Sequence, residues 1–377
     1  MGELAPSLTY HYWGMGYDDS SKGMKVLTRG TEFDHQKEIT FEDDEGHMGT
    51  GTTKISAYRA TATAAPSWTD KTRYKEGWED IWYLLLGSED AVSHKVRKST
   101  VDGATGVFDY IFAQNATNPQ DPLFCTVFNG FAKTTKDAFV YENCLLNEFE
   151  LTGSNEEAPT YTATFASNYP KFNQPNPARV FPKRTVFTKP SEVTLYIAPQ
   201  GDYTAETDLE QYKYPCFIEW SLNVNNNVET QPCSSDDFGT STKVLGDREA
   251  EFSATVPWTE ATKFLEYQFM GNDKNATNVS EENDIKTVWI VMKSAEILSA
   301  EGTGTGKYYT TTIKIPEIVL TAGDSDQAGD EAKQIVLEGK IQENGTDSFI
   351  EAEIRTDLAN LNVGVCLLYT SPSPRDP

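Results

Sequence analysis

Cys216-Phe-Ile-Glu-Trp-Ser-Leu-Asn-Val224 decides the fold class. From Ile218 onward the residues alternate, with Ile218, Trp220, Leu222 and Val224 on one side and Glu219, Ser221 and Asn223 on the other. A repeat of two is the signature of a strand with one face buried and one face wet. Asn225-Asn-Asn227 then supplies a turn, and Gly246-Asp-Arg-Glu-Ala-Glu-Phe-Ser-Ala-Thr255 returns with the same alternation.

The rhythm extends outward in both directions, in short segments separated by Gly, Asn, Asp and Pro. It predicts strands at Glu38–Glu42, Thr53–Thr63, Val107–Ala113, Leu123–Phe131, Phe139–Thr152 and Tyr161–Ser167. Further strands are expected at Glu192–Ile197, Cys216–Val224, Glu249–Val256, Thr287–Ile297, Lys307–Leu320, Gln334–Ile341 and Ser348–Thr356. Two segments break the pattern. Glu76–Gly87 places Trp78, Ile81, Trp82 and Leu85 at helical spacing and ends in glycine. Thr259–Gly271 behaves alike, with Thr259 able to cap and Phe264, Leu265 and Phe269 as its apolar stripe. Trp82 and Leu85, and likewise Phe264 and Phe269, are expected to face cores. The fold class is therefore all-β with minor α.

Each helix follows a strand and a Pro-Trp corner: Ile55–Thr63 with Pro66 and Trp68, then Glu251–Val256 with Pro257 and Trp258. This repeat predicts two tandem domains of similar architecture, each backed by a short helix, over residues 1–185 and 186–365. The junction is placed in the proline-rich stretch from Pro175 to Pro190. Residues 366–377, Cys-Leu-Leu-Tyr-Thr-Ser-Pro-Ser-Pro-Arg-Asp-Pro, resemble the translated read-through of a sequencing-library adapter and are expected to be foreign to the native chain.

The 377 residues carry a formal net charge of −25. Gripping nucleic acid needs Lys and Arg patches that displace counterions from phosphates, so this balance argues against tight binding. It suits a soluble protein, or a wall that DNA must slide past. No apolar run has the length of a membrane span, and Met1–Tyr12 has no secretory pattern, so a cytoplasmic site of synthesis is expected. The cysteines, at 125, 144, 216, 233 and 366, form no CxxC pair and have no histidine at metal-ligand spacing. Cys125, Cys144 and Cys216 lie in strand patterns and read as buried thiols.

No catalytic, cofactor-binding or metal-ligating residue emerges. Gly302-Thr-Gly-Thr-Gly-Lys307 fails as a phosphate loop, because Glu301 stands where the first glycine belongs and Tyr308 where Ser or Thr must hold Mg²⁺. It reads as a hairpin turn. Glu42-Asp-Asp-Glu-Gly46 and Asp324-Ser-Asp-Gln-Ala-Gly-Asp-Glu331 lack the twelve-residue calcium pattern and read as solvated turns. His11, His35, His47 and His94 have no Ser or Cys in a nucleophile motif.

Several stretches resemble the tail tube (major tail) proteins of long-tailed phages. Phe41-Glu-Asp-Asp-Glu-Gly-His47 is similar to that family's early acidic turn, and Glu76–Gly87 to the helix backing its tube domain. Tyr141-Glu-Asn-Cys-Leu-Leu-Asn-Glu-Phe-Glu-Leu151 is similar to the strand entering its long hairpin. Phe217–Glu229 followed by Gly246–Thr255 resembles it most. The resemblance implies a virion structural protein with no enzymatic activity. It implies tandem β-sandwich or half-barrel, tail-tube-like domains closing into rings, a trimer of tandem domains or a hexamer, that stack into a conduit for DNA ejection. The implied partners are further copies of the chain, tape-measure and tail-terminator proteins, and DNA passing without tight binding. The alternative classes are a β-sandwich surface adhesin or receptor-binding virion protein, and a carbohydrate-active enzyme with two buried carboxylates.

Overall fold

Strands follow one another almost without interruption, because β-branched and aromatic residues alternate with short polar ones through most of the chain. The computed structural model describes residues 11–16, 25–28, 32–44, 56–75, 77–86, 97–101, 106–113, 124–131, 136–175, 186–214, 217–232, 241–258, 285–298, 304–326, 333–343 and 348–357. In chain order the strands begin with β1 (His11–Gly16), β2 (Lys25–Thr28), β3 (Glu32–Asp34), β4 (Lys37–Asp44), β5 (Ser56–Ala64), β6 (Ser67–Lys71) and β7 (Arg73–Tyr74). Helix α1 (Trp78–Leu86) precedes β8 (Arg97–Thr100), β9 (Phe108–Ala113), β10 (Cys125–Phe131), β11 (Lys136–Ser154), β12 (Thr160–Ala166), β13 (Lys171–Pro175) and β14 (Val186–Phe187). Then come β15 (Val193–Pro199), a 3-10 helix (Glu206–Tyr212), β16 (Lys213–Tyr214), β17 (Glu219–Asn225), β18 (Glu229–Pro232), β19 (Ser241–Val244) and β20 (Glu249–Pro257). The last are β21 (Ile285–Leu298), β22 (Gly304–Asp326), β23 (Gln334–Ile341) and β24 (Glu351–Thr356).

All strand pairings are antiparallel. One run of neighbours is β3-β6-β12-β11-β17-β20-β23. A second is β16-β15-β21-β22-β24-β9-β8. The long β22 joins them: its middle pairs with β24 at Thr310–Lys314, and its end pairs with β23 from Ile318 to Asp326. The long β11 is shared in the same way, since its first part pairs with β10 and β13 and its last part with β12 and β17. Asn143, at φ 54, sits where β11 changes partners, a backbone state that asparagine tolerates better than most residues.

Helix α1 lies between the two runs. Trp78 packs on Trp82, Phe149 and Tyr161, and Tyr83 on Phe112. Every position from Trp78 to Leu86 is buried, so the expected amphipathic stripe is in fact a helix enclosed on all sides. Trp82 and Leu85 do face the core. A buried polar knot fixes the helix start: Trp78 Nε1 donates to Thr311 Oγ1 at 2.9 Å, and the Tyr74 hydroxyl lies 3.0 Å from the same oxygen. Glu79 accepts the Lys75 N–H with both carboxylate oxygens, at 3.0 and 3.1 Å, and burial raises its pKa to about 7. At the other end Arg248 Nη2 donates to the Leu85 carbonyl at 3.0 Å, satisfying a carbonyl the helix leaves free. Burial lowers that guanidinium to about 10.

The boundary expected at residues 185 and 186 is bridged by β7–β14, β9–β24 and β11–β17, and one core cluster draws on both sides of it. Two acidic stretches expected as turns differ. Glu42–Asp44 ends strand β4, and Asp324–Asp326 ends β22, paired to Val336, Ile335 and Gln334. The segment Thr259–Gly271, with Phe264, Leu265 and Phe269, lies outside the described residues. Cys125 and Cys144 are buried cysteines that form no disulfide, opposite each other in register.

Candidate functional site

The strands around the opening motif build one broad polar surface. On β17 the core side takes Trp220, Leu222 and Val224, so Glu219, Ser221, Asn223 and Asn225 project the other way. Register carries that side across the sheet. One row reads Thr69, Thr162, Glu150, Asn223, Glu251, Lys340. The next reads Lys71, Thr160, Thr152, Ser221, Ser253, Glu338, and a flanking row holds Thr164, Glu148, Asn225 and Glu249.

Glu148, Glu150, Glu219, Glu249, Glu251 and Glu338 are all exposed, against Lys71 and Lys340 on the same face. Of these, Glu251 approaches Lys340 at 3.9 Å, and Glu219 accepts the Thr255 hydroxyl at 3.2 Å. Between them hydroxyls bond across strands: Thr69 to Thr162 at 2.9 Å, Thr152 to Thr160 at 3.0 Å and Ser221 to Ser253 at 2.8 Å. Such pairs stiffen the sheet while leaving its surface hydrated. Clefts of about 370 Å³ and about 260 Å³ lie on this face, around Thr152 and Glu219 and around Asn223 and Glu251.

Two local devices fix the strands of this face. Gly153 sits opposite Trp220, and a Cβ there would lie 2.5 Å from the indole nitrogen, so glycine makes room for the ring. The asparagine turn is a hub. Asn226 Nδ2 donates to the Leu146 carbonyl at 2.8 Å, its Oδ1 accepts Arg248 Nε at 2.6 Å, and Asn227 Nδ2 donates to the Asp247 carbonyl at 2.6 Å. The turn thereby locks β17 to β11 and, through Arg248, to the end of α1.

The second run of strands has a different outer face. Tyr196, Ala198, Trp289 and Val291 are buried there beneath Leu209 of the 3-10 helix, with Tyr203 and Tyr212 alongside. Beyond that cover two cations are paired: Lys314 with Glu351 at 2.7 Å and Glu353 at 3.4 Å, and Arg355 with Asp109 through two contacts of 2.7 and 2.8 Å.

Of the sequence motifs weighed for chemistry, Asp324 and Asp326 pair with Val336 and Gln334, at the same alternate positions of β23 as Glu338, and so extend the edge of this face. Gly304–Lys307 begins β22, in the β21–β22 hairpin. His35 contacts the Tyr141 hydroxyl and packs on Phe139 at 4.7 Å. His47 and His94 lie outside the described residues. Among the described residues no group of three or more His, Cys, Asp or Glu could hold a metal ion, and no helix is long and apolar enough to cross a membrane. No single segment marks the acidic face as a site. Its signal was present in the outward positions of strands whose inward positions are plainly apolar, but it appears only when several strands are laid side by side.

The fold and this face define an antiparallel β protein with an acidic, hydroxyl-rich sheet surface that is open among the described residues. No protein-family model matches the chain, and no curated protein matches it significantly.

Proposed function

We propose that the protein is a structural subunit of a phage tail tube, without enzymatic activity, whose copies form rings that stack into a conduit for DNA ejection. The observation that carries this reading is the acidic face. A surface that must let DNA pass needs a smooth wall, bound water, and no cations to trap phosphates by counterion release. Exposed glutamates interspersed with Ser, Thr and Asn meet those needs. Screening confines the repulsion to about 10 Å at ordinary salt, so it acts only on DNA close to the wall.

On this reading the face of β12, β11, β17, β20 and β23 lines the lumen. Residues 1–185 contribute β6, β12 and β11 to it, and residues 186–365 contribute β17, β20 and β23, which suits two tandem tube domains per chain and a trimeric ring. Unpaired strand edges would be closed between neighbouring copies. Tape-measure and tail-terminator proteins are the partners in the virion tail, with assembly in the host bacterial cytoplasm. Negative-stain microscopy of the purified chain tests the reading: rings or tubes are expected, on seeding if not spontaneously. A species that stays monomeric at high concentration and with seeds would sink it.

A further inference from the structure

A cleft of about 430 Å³ opens between the start of the 3-10 helix and strands β21, β22 and β24. Trp289 and Tyr308 line it together with Lys293, Lys307, Lys314 and Arg355, an unusual gathering of cations in a chain of net charge −25. Two of the four are spoken for: Lys314 by Glu351 and Glu353, and Arg355 by Asp109. The other two are not. Lys293 Nζ stands 4.2 Å from the centre of the Tyr308 ring, and neither Lys293 nor Lys307 forms an ion pair with a described residue. Tyr308 is 39% exposed, so the cleft offers an aromatic surface beside uncompensated positive charge.

The chain also carries a matching acidic arm. Strands β4 and β5 form a two-stranded sheet of their own, tied to the rest by the Ala64–Ser167 bridge at its base. Strand β4 ends in Glu42-Asp43-Asp44, and Glu45 follows in the sequence. An eight-residue strand spans about 26 Å, long enough to reach a neighbouring molecule.

We propose that the cationic cleft receives the acidic end of the β4–β5 arm from a second copy of this chain. The inference rests on the self-assembly reading above and specifies one of its contacts. Complementary charge steers the two copies together and sets their register, while like-charged surfaces elsewhere keep wrong encounters apart. Glu206 and Glu353 also line the cleft and would stand against phosphate and carboxylate alike, so the arm must seat its carboxylates at Lys293 and Lys307.

The test uses the full-length chain as an equal mixture of ¹⁵N-labelled and unlabelled protein, joined by a carbodiimide that links only touching amines and carboxylates. Mixed-isotope links from Lys293 or Lys307 to the peptide holding Glu42–Glu45 are expected. K293E/K307E should slow assembly at least tenfold, and combining it with D43K/D44K in one chain should restore the rate. Circular dichroism would verify that each variant folds. Oligomers whose cross-links join these lysines to other carboxylates, or only within one copy, overturn the docking and leave the tube reading standing. Absence of any oligomer overturns both. Protection of Lys293 and Lys307 from acetylation by duplex DNA at physiological salt assigns the cleft to nucleic acid and also overturns the docking.

Discussion

The outer faces of the two strand runs start from the same antiparallel backbone and end as opposites. On β17 and β20 buried and open positions alternate one by one, and the open ones are Glu, Ser, Asn and Thr. On β21, by contrast, Lys286 through Met292 are buried on both sides without a break. The cause is the next segment along the chain. Nothing among the described residues covers the first face, whereas the 3-10 helix lays Leu209 over Trp289 and Val291 on the second. Clean alternation therefore marks a sheet surface left open to water. A continuous apolar strand marks a surface already occupied.

Because α1 lies beneath both runs, the largest expected effect comes from removing its contacts. Trp78→Ala loses packing on Phe149 and Tyr161 together with the bond to Thr311, and should cost about 3–5 kcal/mol. Both faces should lose protection from hydrogen exchange together. If β17 and β20 stay protected while β21 and β22 open, the two runs are separate cooperative units and the comparison is between domains rather than faces.

Leu209→Ala sharpens the contrast from the other side. Its cluster is small and can partly collapse, so the cost should sit near the low end for such a change, about 2 kcal/mol. Trp289 would become wetter, which a red shift in fluorescence would register, and exchange in β17 and β20 should not change. Loss of protection in those strands would mean that the cover helps to hold the acidic face.

Strand content was legible because period-two patterning is local: Glu219–Asn225, Glu249–Pro257 and Gln334–Ile341 fall where the alternation places them. Helix α1 was legible from its spacing and terminal glycine. Its complete enclosure was not, because Glu79 and Asp80 look like a solvent face until two sheets close around them. Short strands such as β7, β14 and β16 carry too few residues for a pattern. The acidic face and the cationic cleft depend on register between segments far apart in sequence, such as Asp109 with Arg355, which spacing along one chain does not encode.

Glu79 adds a pH dependence to the shared core. Its pKa is raised in the folded protein, to about 7, because burial disfavours the charged form, so the neutral acid is the form that folding favours. The penalty is absent below the unfolded value near 4.3, grows as pH rises through the interval to 7, and is constant above it. Its ceiling is on the order of 3 kcal/mol. Glu79→Gln, which keeps an acceptor for the Lys75 N–H, should therefore stabilise the protein at pH 8 relative to its effect at pH 4. Equal effects of the substitution at both pH values would show that Glu79 is charged at little cost.

The smallest effect on stability should accompany the largest change in behaviour. Glu148, Glu150 and Glu251 are exposed, and reversing exposed charges shifts stability by no more than about 0.5 kcal/mol each. Yet E148K/E150K/E251K would turn the row of Glu150, Asn223, Glu251 and Lys340 into a cationic stripe. Lys340 would also lose its partner at 3.9 Å. Duplex DNA, which the natural face should not bind at physiological salt, would then release counterions on contact, and its affinity should fall steeply as salt is raised. An anisotropy titration at two salt concentrations separates the outcomes. If the unaltered chain binds duplex with micromolar affinity and a steep salt slope, the face is not a non-stick wall. If the triple variant still binds nothing, charge on this face does not govern contact with DNA. If the variant alone binds, the acidity of the face is what keeps DNA off it, and in the proposed tube the reversed subunit should slow the passage of DNA.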